Sequence, residues 1–390
     1  MFDLIVRGGR VIDPAQDLDS VVDVGIIGRR IASIGQDLIK AGVREGVVDA
    51  SGLLVTPGWV DLHTHVYWGV APLGVDADAH CLRRGVTTAV DAGSAGASTF
   101  PGFKRYVIDV AATRVVAMLH LSSIGMARDD SLGGEAIGEL EDIRWASVER
   151  ALEVARAFAE VITGIKVRLS AQHVGGDPDQ TREVLRRARR VADAIGKPLM
   201  VHPGGTVISI DEILAALVRG DVVTHVYHGR DEGVLDDAGK VRDSVRAAVD
   251  RGVNFDVGHG AGSFTWRVAH KALDQGLLPG TISSDIHAWN IAGPVYDLAT
   301  TASKLLHLGL SLSDVVRRVT ATPAACIGRS DELGTLAPGA AADVSLLRLV
   351  TGEWYFRDAA GEEELGGTRL EPVAVIRGGQ HYSCTPSVAP

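Results

Sequence analysis

Between residues 57 and 336 the chain alternates short apolar runs with amphipathic stretches, and this alternation restricts its fold more than any other feature. Strand-like runs fall at 58–65, 86–92, 114–122, 161–169, 198–202, 222–226, 253–257 and 281–285. In one interval Val148, Ala151, Leu152, Ala155, Phe158 and Ala159 keep a helical face apolar. In the next, Val184, Leu185, Ala188, Val191, Ala192 and Ile195 do the same. Parallel strands need crossovers of this kind. Eight such units over roughly 270 residues fit an α/β fold of the (β/α)8 (TIM) barrel type, whose usual size is about 250 residues. An open doubly wound sheet would carry Gly-x-Gly-x-x-Gly after its first strand, and no such run follows this one.

The two ends read differently. Leu4-Ile5-Val6 and Val11-Ile12 flank Gly8-Gly9, and Val22 to Ile27 and Ile31 to Ile34 flank Gly28-Arg29-Arg30, which predicts β-hairpins over residues 1–56. Near the other end, Ala342-Asp343-Val344-Ser345-Leu346-Leu347 reads as a strand, and Val373 to Ile376 runs into Gly378-Gly379. Val6-Arg7-Gly8-Gly9 and Ile376-Arg377-Gly378-Gly379 nearly repeat one another. Short fragments need partners to bury a face, so residues 1–56 and 337–390 are expected to build one small β-sandwich domain beside a catalytic barrel of residues 57–336.

The net charge of -10 disfavours nucleic acid and anionic membranes as partners. No run of about 18 apolar residues predicts a membrane span, and Asp3 and Arg7 break any signal-peptide pattern. Cys81, Cys326 and Cys384 form no CxxC pair and read as reduced thiols of a cytoplasmic protein.

Chemistry enters with His63 and His65. On a strand they share a face, where neutral imidazoles can grip a divalent metal. Alone, the pair is equally well two polar histidines near a strand end. Barrel sites, however, collect side chains from the C-terminal ends of several strands. Lys166 lies in the fourth run, His202 ends the fifth, His225 the sixth and Asp285 the eighth. A lysine in an apolar strand either pairs with a carboxylate, snorkels out, or sits as a neutral amine able to take up carbon dioxide. The resulting carbamate could bridge two metals. His225 is preferred to His228 because it closes the run Val222-Val223; His228 then becomes a substrate contact or a loop cap. Arg168 shares the face of Lys166 and suits either a substrate carboxylate or an ion pair with a barrel acid. His259, in a glycine-flanked loop, is a candidate substrate contact, and His287 a partner for Asp285. His80, His120, His173, His270, His307 and His381 receive no role. Residues 123–142 form a long loop rich in Gly, Asp and Glu, of the kind that is a functional lid or a disordered segment, and on a barrel it is expected at the catalytic face.

These residues resemble the amidohydrolase superfamily. The resemblance rests on Thr56-Pro57-Gly58-Trp59-Val60-Asp61-Leu62-His63-Thr64-His65, on Lys166, His202, His225 and Asp285, on Thr322-Pro323-Ala324, and on Gly334 to Asp343. It implies that His63, His65 and Asp285 hold the more buried metal, and that His202 and His225 hold the second. Carboxylated Lys166 and a hydroxide would lie between them. It also implies two divalent cations, zinc foremost, with Asp285 as the catalytic proton acceptor. Asp91-Ala92-Gly93-Ser94, Gly164-Ile165-Lys166-Val167-Arg168 and Phe255-Asp256-Val257-Gly258-His259-Gly260 are similar to the dihydroorotase-like deacetylase branch. That branch implies removal of acetyl from an ester or amide of a small carboxylate, such as an acetylated α-hydroxy acid or an N-acyl amino acid. A cyclic amidohydrolase (dihydroorotase, imidase or hydantoinase) is the alternative, and a non-catalytic scaffold a remoter one. The expected partner is a small-molecule carboxylate, with homo-oligomer formation left open.

Overall fold

The computed structural model describes residues 1–127 and 137–386. Its mixed α/β architecture contains a parallel seven-stranded sheet whose strands follow chain order. They are Trp59–Thr64, Val86–Gly96, Arg114–His120, Ile162–Arg168, Leu199–His202, Val222–Val223 and Asn254–Phe255. The runs expected at 222–226 and 253–257 are thus only two residues long each. Strands covered on both faces need apolar residues at every position, and these comply. Val60, Leu62, Val90, Ala92, Val116, Met118, Met200 and Val222 cluster on one face. Ala89, Ala117, Leu119, Ile165, Val167, Val201 and Val223 join a larger core with the helices Val148–Ala157 and Pro178–Ile195. Lys166 is in register with Met200 and so belongs among the first set.

The eighth run is not a regular strand. Residues 281–286 instead make isolated parallel bridges to both edges of the sheet, Thr281 to Asp256 and Ile286 to Thr64. Asp285 donates its N–H to His63 O at 2.8 Å, and His65 donates to Ile286 O at 3.0 Å. Asp61, fully buried, accepts from the N–H of Ser284 at 3.0 Å, from the Ser284 hydroxyl, and from the N–H of His63 at 3.3 Å.

Both chain ends pool into one eight-stranded sheet. The antiparallel pairing of Leu54–Pro57 with Val344–Arg357 joins the N-terminal half to the C-terminal half. The hairpin across residues 28–29 forms as expected, between Leu18–Ile27 and Arg30–Gly35. Gly8-Gly9 does not turn. Phe2–Asp13 is one continuous strand with a bulge between Val6 and Gly9. Gly8 takes a φ of +72° there, and a Cβ on Gly9 would fall 2.4 Å from Val55 Cγ2. The near-repeat Gly378-Gly379 does turn, pairing Arg377 with Gln380. The same dipeptide serves as bulge or turn according to what packs beside it. Asp343 ties this sheet to the parallel one through an ion pair with Arg114. Among the described residues no helix is long and apolar enough to cross a membrane.

Asp61→Ala removes the acceptor for three donors, two of them backbone amides, and strands the Ser284 hydroxyl in a dry interior. The variant should lose about 3 kcal/mol of unfolding free energy. Denaturant titration of the metal-free protein reads this directly; an unchanged midpoint would mean that Asp61 does not help hold residues 281–286 to the sheet.

Candidate metal centre

His63, His65, Lys166, His202, His225 and Asp285 all line one cavity of about 170 Å³. The Nε2 atoms of His63 and His65 lie 3.2 and 3.1 Å from Asp285 Oδ1. Lys166 Nζ is 3.3 Å from His63 Nε2. The His225 ring centroid is 5.1 Å from that of His63 and 4.4 Å from that of His202. A larger depression of about 690 Å³, around Arg189, Lys197 and Cys326, contains none of these residues. Donor chemistry, not size, singles out the site.

Hydrogen bonds to the far ring nitrogens aim the imidazoles. His225 Nδ1 lies 2.6 Å from the carbonyl of Gly258. A carbonyl only accepts, so Nδ1 carries the proton and Nε2 keeps its lone pair. His63 Nδ1 meets Thr224 Oγ1 at 2.9 Å, and that hydroxyl donates to Asp256 Oδ2 at 2.9 Å. The threonine proton being committed, His63 must donate as well. His65 Nδ1 contacts Ser94 Oγ at 3.0 Å, while the Ser94 N–H is held by Asp91.

Two of the candidate ligands sit in the left-handed region, His225 at φ 68° and Asp285 at φ 50°. Non-glycine residues there carry roughly 1–2 kcal/mol of strain, which a functional site can tolerate. Gly258 and Gly260 complete this tight arrangement. A Cβ on the first would lie 2.2 Å from Thr224 Oγ1, and on the second 2.4 Å from Asp285 Oδ2.

The electrostatics suit a cation. Burial pulls His65 and His225 down to about 3 and holds His63 and His202 well below the usual imidazole range, so all four are neutral at physiological pH. Burial likewise draws the Lys166 amine down to about 7. Among the described residues Lys166 neither pairs with a carboxylate nor snorkels out. It is fully buried, and its polar contacts are His63 Nε2 and, at 3.4 Å, Met200 Sδ. Asp285 Oδ1 is buried without a hydrogen bond. Neutral, pre-aimed imidazoles beside an anionic oxygen that lacks a donor are what a divalent cation requires. The residues fit one.

The other candidates are placed as follows. Arg168 lines the cavity, but its Nε donates to Glu139 Oε1 at 2.6 Å, which is the ion-pair alternative. Burial opposes the charge on Glu139, yet Arg168 and His173 together hold its carboxyl well below the ordinary range. His287 lines the cavity too, 6.4 Å from His65 between ring centroids. His228 and His259 are not brought to the cavity wall. His228 Nδ1 accepts from the Arg230 N–H at 3.2 Å. His259 is fully buried and stacks on Phe264 at 4.6 Å. Its Nε2 meets Lys304 Nζ at 2.7 Å, and the same amine holds the carbonyls of Pro294 and Arg357. The glycine-flanked loop therefore points its histidine into the core.

Sequence reasoning missed Glu139, His173, Thr224, Asp256 and Arg230. Thr224 adjoins His225, Asp256 lies in the run 253–257, and Glu139 lies in the loop 123–142, so these carried a faint positional signal; His173 and Arg230 carried none. Of the loop expected at the catalytic face, 123–142, residues 128–136 lie outside the described residues. Met126, just before them, lines the cavity.

A model of the amidohydrolase family matches residues 54–362. A deacetylase of Brucella anthropi is 35% identical over 369 residues, covering 93% of this chain and 88% of its own length. A deacetylase of Enterococcus faecalis is 32% identical over 383 residues, covering 98% and 99%. Among solved structures, an adenine deaminase superposes with a TM-score of 0.90 at 31% identity, covering 98% of this chain and 100% of that one. A dihydroorotase superposes with a TM-score of 0.88 at 32% identity, covering 99% of each. Ligand set, fold and sequence converge: the chain is a metal-dependent hydrolase of the amidohydrolase family.

Proposed function

We propose that the chain is a deacetylase, cleaving an acyl ester or amide of a small carboxylate such as an acetylated α-hydroxy acid or an N-acyl amino acid. The observation that carries this reading is the donorless Asp285 Oδ1 facing His63 Nε2 and His65 Nε2 beside a buried lysine that has no carboxylate partner. The relatives named deacetylase support the choice of acyl transfer to water. In this reading the parallel sheet and residues 281–286 form a (β/α)8 barrel spanning 57–336. Residues 1–56 and 337–390 form the accessory β-sandwich domain. The three free cysteines support a cytoplasmic setting.

His63, His65 and Asp285 would hold one divalent cation and His202 and His225 a second, zinc being favoured by imidazole-rich sets. The neutral Lys166 amine would add carbon dioxide, forming a nitrogen–carbon bond and releasing one proton to solvent, and the resulting carbamate would supply anionic oxygen donors for the cations. When bound, the cations supply the Lewis acidity that yields hydroxide from water near neutral pH and polarises the acyl carbonyl. Asp285 takes up the proton released by the attacking water and delivers it to the leaving oxygen or nitrogen. A second reading, ring opening of a cyclic amide, is favoured by the likeness to the solved dihydroorotase.

An activity screen on metal-analysed protein decides between them. Acetylated hydroxy acids and N-acetyl amino acids of both hands should be hydrolysed and dihydroorotate left intact; the reverse result would overturn the deacetylase reading. Lys166→Ala should lose metal and nearly all activity, and full activity in that variant would defeat the carbamate. Thr224→Val keeps the shape but leaves His63 Nδ1–H without its acceptor. Metal affinity should fall by about 10- to 100-fold, read by competition with a chromophoric chelator.

A further inference from the structure

We propose that Arg230 is the group that recognises the substrate's carboxylate, and that it makes the pocket specific for anionic acyl compounds. This rests on the hydrolase reading above and names the specificity residue of the same site. Two arginines line the cavity. Arg168 is already matched in place, its Nε on the fully buried carboxylate of Glu139. Arg230 is exposed, and among the described residues no carboxylate lies within 4.0 Å of its guanidinium. Among the described residues its polar contact is made by the backbone, from its N–H to His228 Nδ1.

Three glycines leave room for that side chain beside the ligand residues. A Cβ on Gly204 would stand 3.5 Å from His202 Nε2 and 3.6 Å from Arg230 Cδ. One methyl group would thus touch both a cavity-lining imidazole and the arginine stem. Gly205 and Gly262 flank the head, where a Cβ would come within 3.7 Å of Nη1 and 3.3 Å of Nη2. Gly204 and Gly262 have no positive φ, so their lack of a side chain serves space and not turn geometry. The result is a forked cation with no anion among the described residues to neutralise it, at the edge of the cavity that holds the candidate metal ligands. A guanidinium in that state takes a carboxylate through two parallel hydrogen bonds. In an α-acyloxy acid or an N-acyl amino acid, a single carbon separates the scissile heteroatom from the carboxylate.

The test uses metal-loaded protein with O-acetyl-lactate and its neutral counterpart, O-acetyl-lactamide. Arg230→Met should lower the preference for the acid over the amide, taken as the ratio of kcat/KM values, by about 10- to 100-fold. The loss should appear in KM, and Arg230→Lys should recover part of it. Calorimetric binding of lactate, which needs no turnover, should weaken by a similar factor in Arg230→Met. An unchanged ratio with unchanged lactate affinity would overturn the proposal, as would the same drop appearing in Arg168→Met instead. Lactate binding that depends on Arg230 in a protein that hydrolyses neither ester would uphold the anchor and sink the deacetylase reading.

Discussion

Asp285 donates its backbone N–H to the carbonyl of His63, and His65 donates to the carbonyl of Ile286. These two bonds join the last segment of the parallel sheet to the first, and they interleave the residues of the candidate metal centre along the seam. The sheet edges would otherwise stand open, with unpaired amides on both sides. Asp61 reinforces the junction from within, taking both the amide and the hydroxyl of Ser284. The same two bonds that bridge residues 285–286 to the first strand therefore also bring Asp285 to His63 and His65. That the closing segment makes single bridges in place of a ladder also explains the left-handed backbone at Asp285. A regular strand would send alternate side chains to opposite faces and could not turn this carboxylate toward two imidazoles at once.

The interior near this seam is expensive without a cation. Four imidazoles are desolvated into neutrality, a lysine is buried with no carboxylate partner, and Asp285 Oδ1 has no donor. Unsatisfied groups of this kind destabilise a fold unless a ligand completes them. Ligand binding to the native state alone offsets such a cost. Outer partners lock the geometry: Thr224 and Asp256 behind His63, the Gly258 carbonyl behind His225, Ser94 and Asp91 behind His65. The rings need not reorganise to receive the ion.

What the sequence disclosed follows the range of the forces involved. Period-two and helical patterns act over a few residues, so the alternating strands and helices and the six ligand-type side chains at strand ends were readable from 57 to 285. Local pattern could not tell that Gly8-Gly9 bulges while Gly378-Gly379 turns, because Val55, far along the chain, decides it. Nor could it assign Arg168. Its partner Glu139 lies 29 residues earlier in an irregular segment, and only folding brings the two to 2.6 Å. His259 misled for the opposite reason. Flanking glycines suggested an open loop, whereas their small size serves close approach to Thr224 and Asp285 and lets the imidazole turn into the core.

Lys304 gives that inward histidine a wider meaning. Its buried amine joins three parts of the chain: His259 in the loop that orients His225 and abuts Asp285, the Pro294 carbonyl, and the Arg357 carbonyl at the end of a strand in the sheet built from both termini. That sheet is thus fastened by a short chain of hydrogen bonds to the loop that orients His225. Exchanging or trimming that sheet in a chimera would disturb ligand alignment, even though none of its residues lines the cavity. The two parts have to be engineered as a single unit.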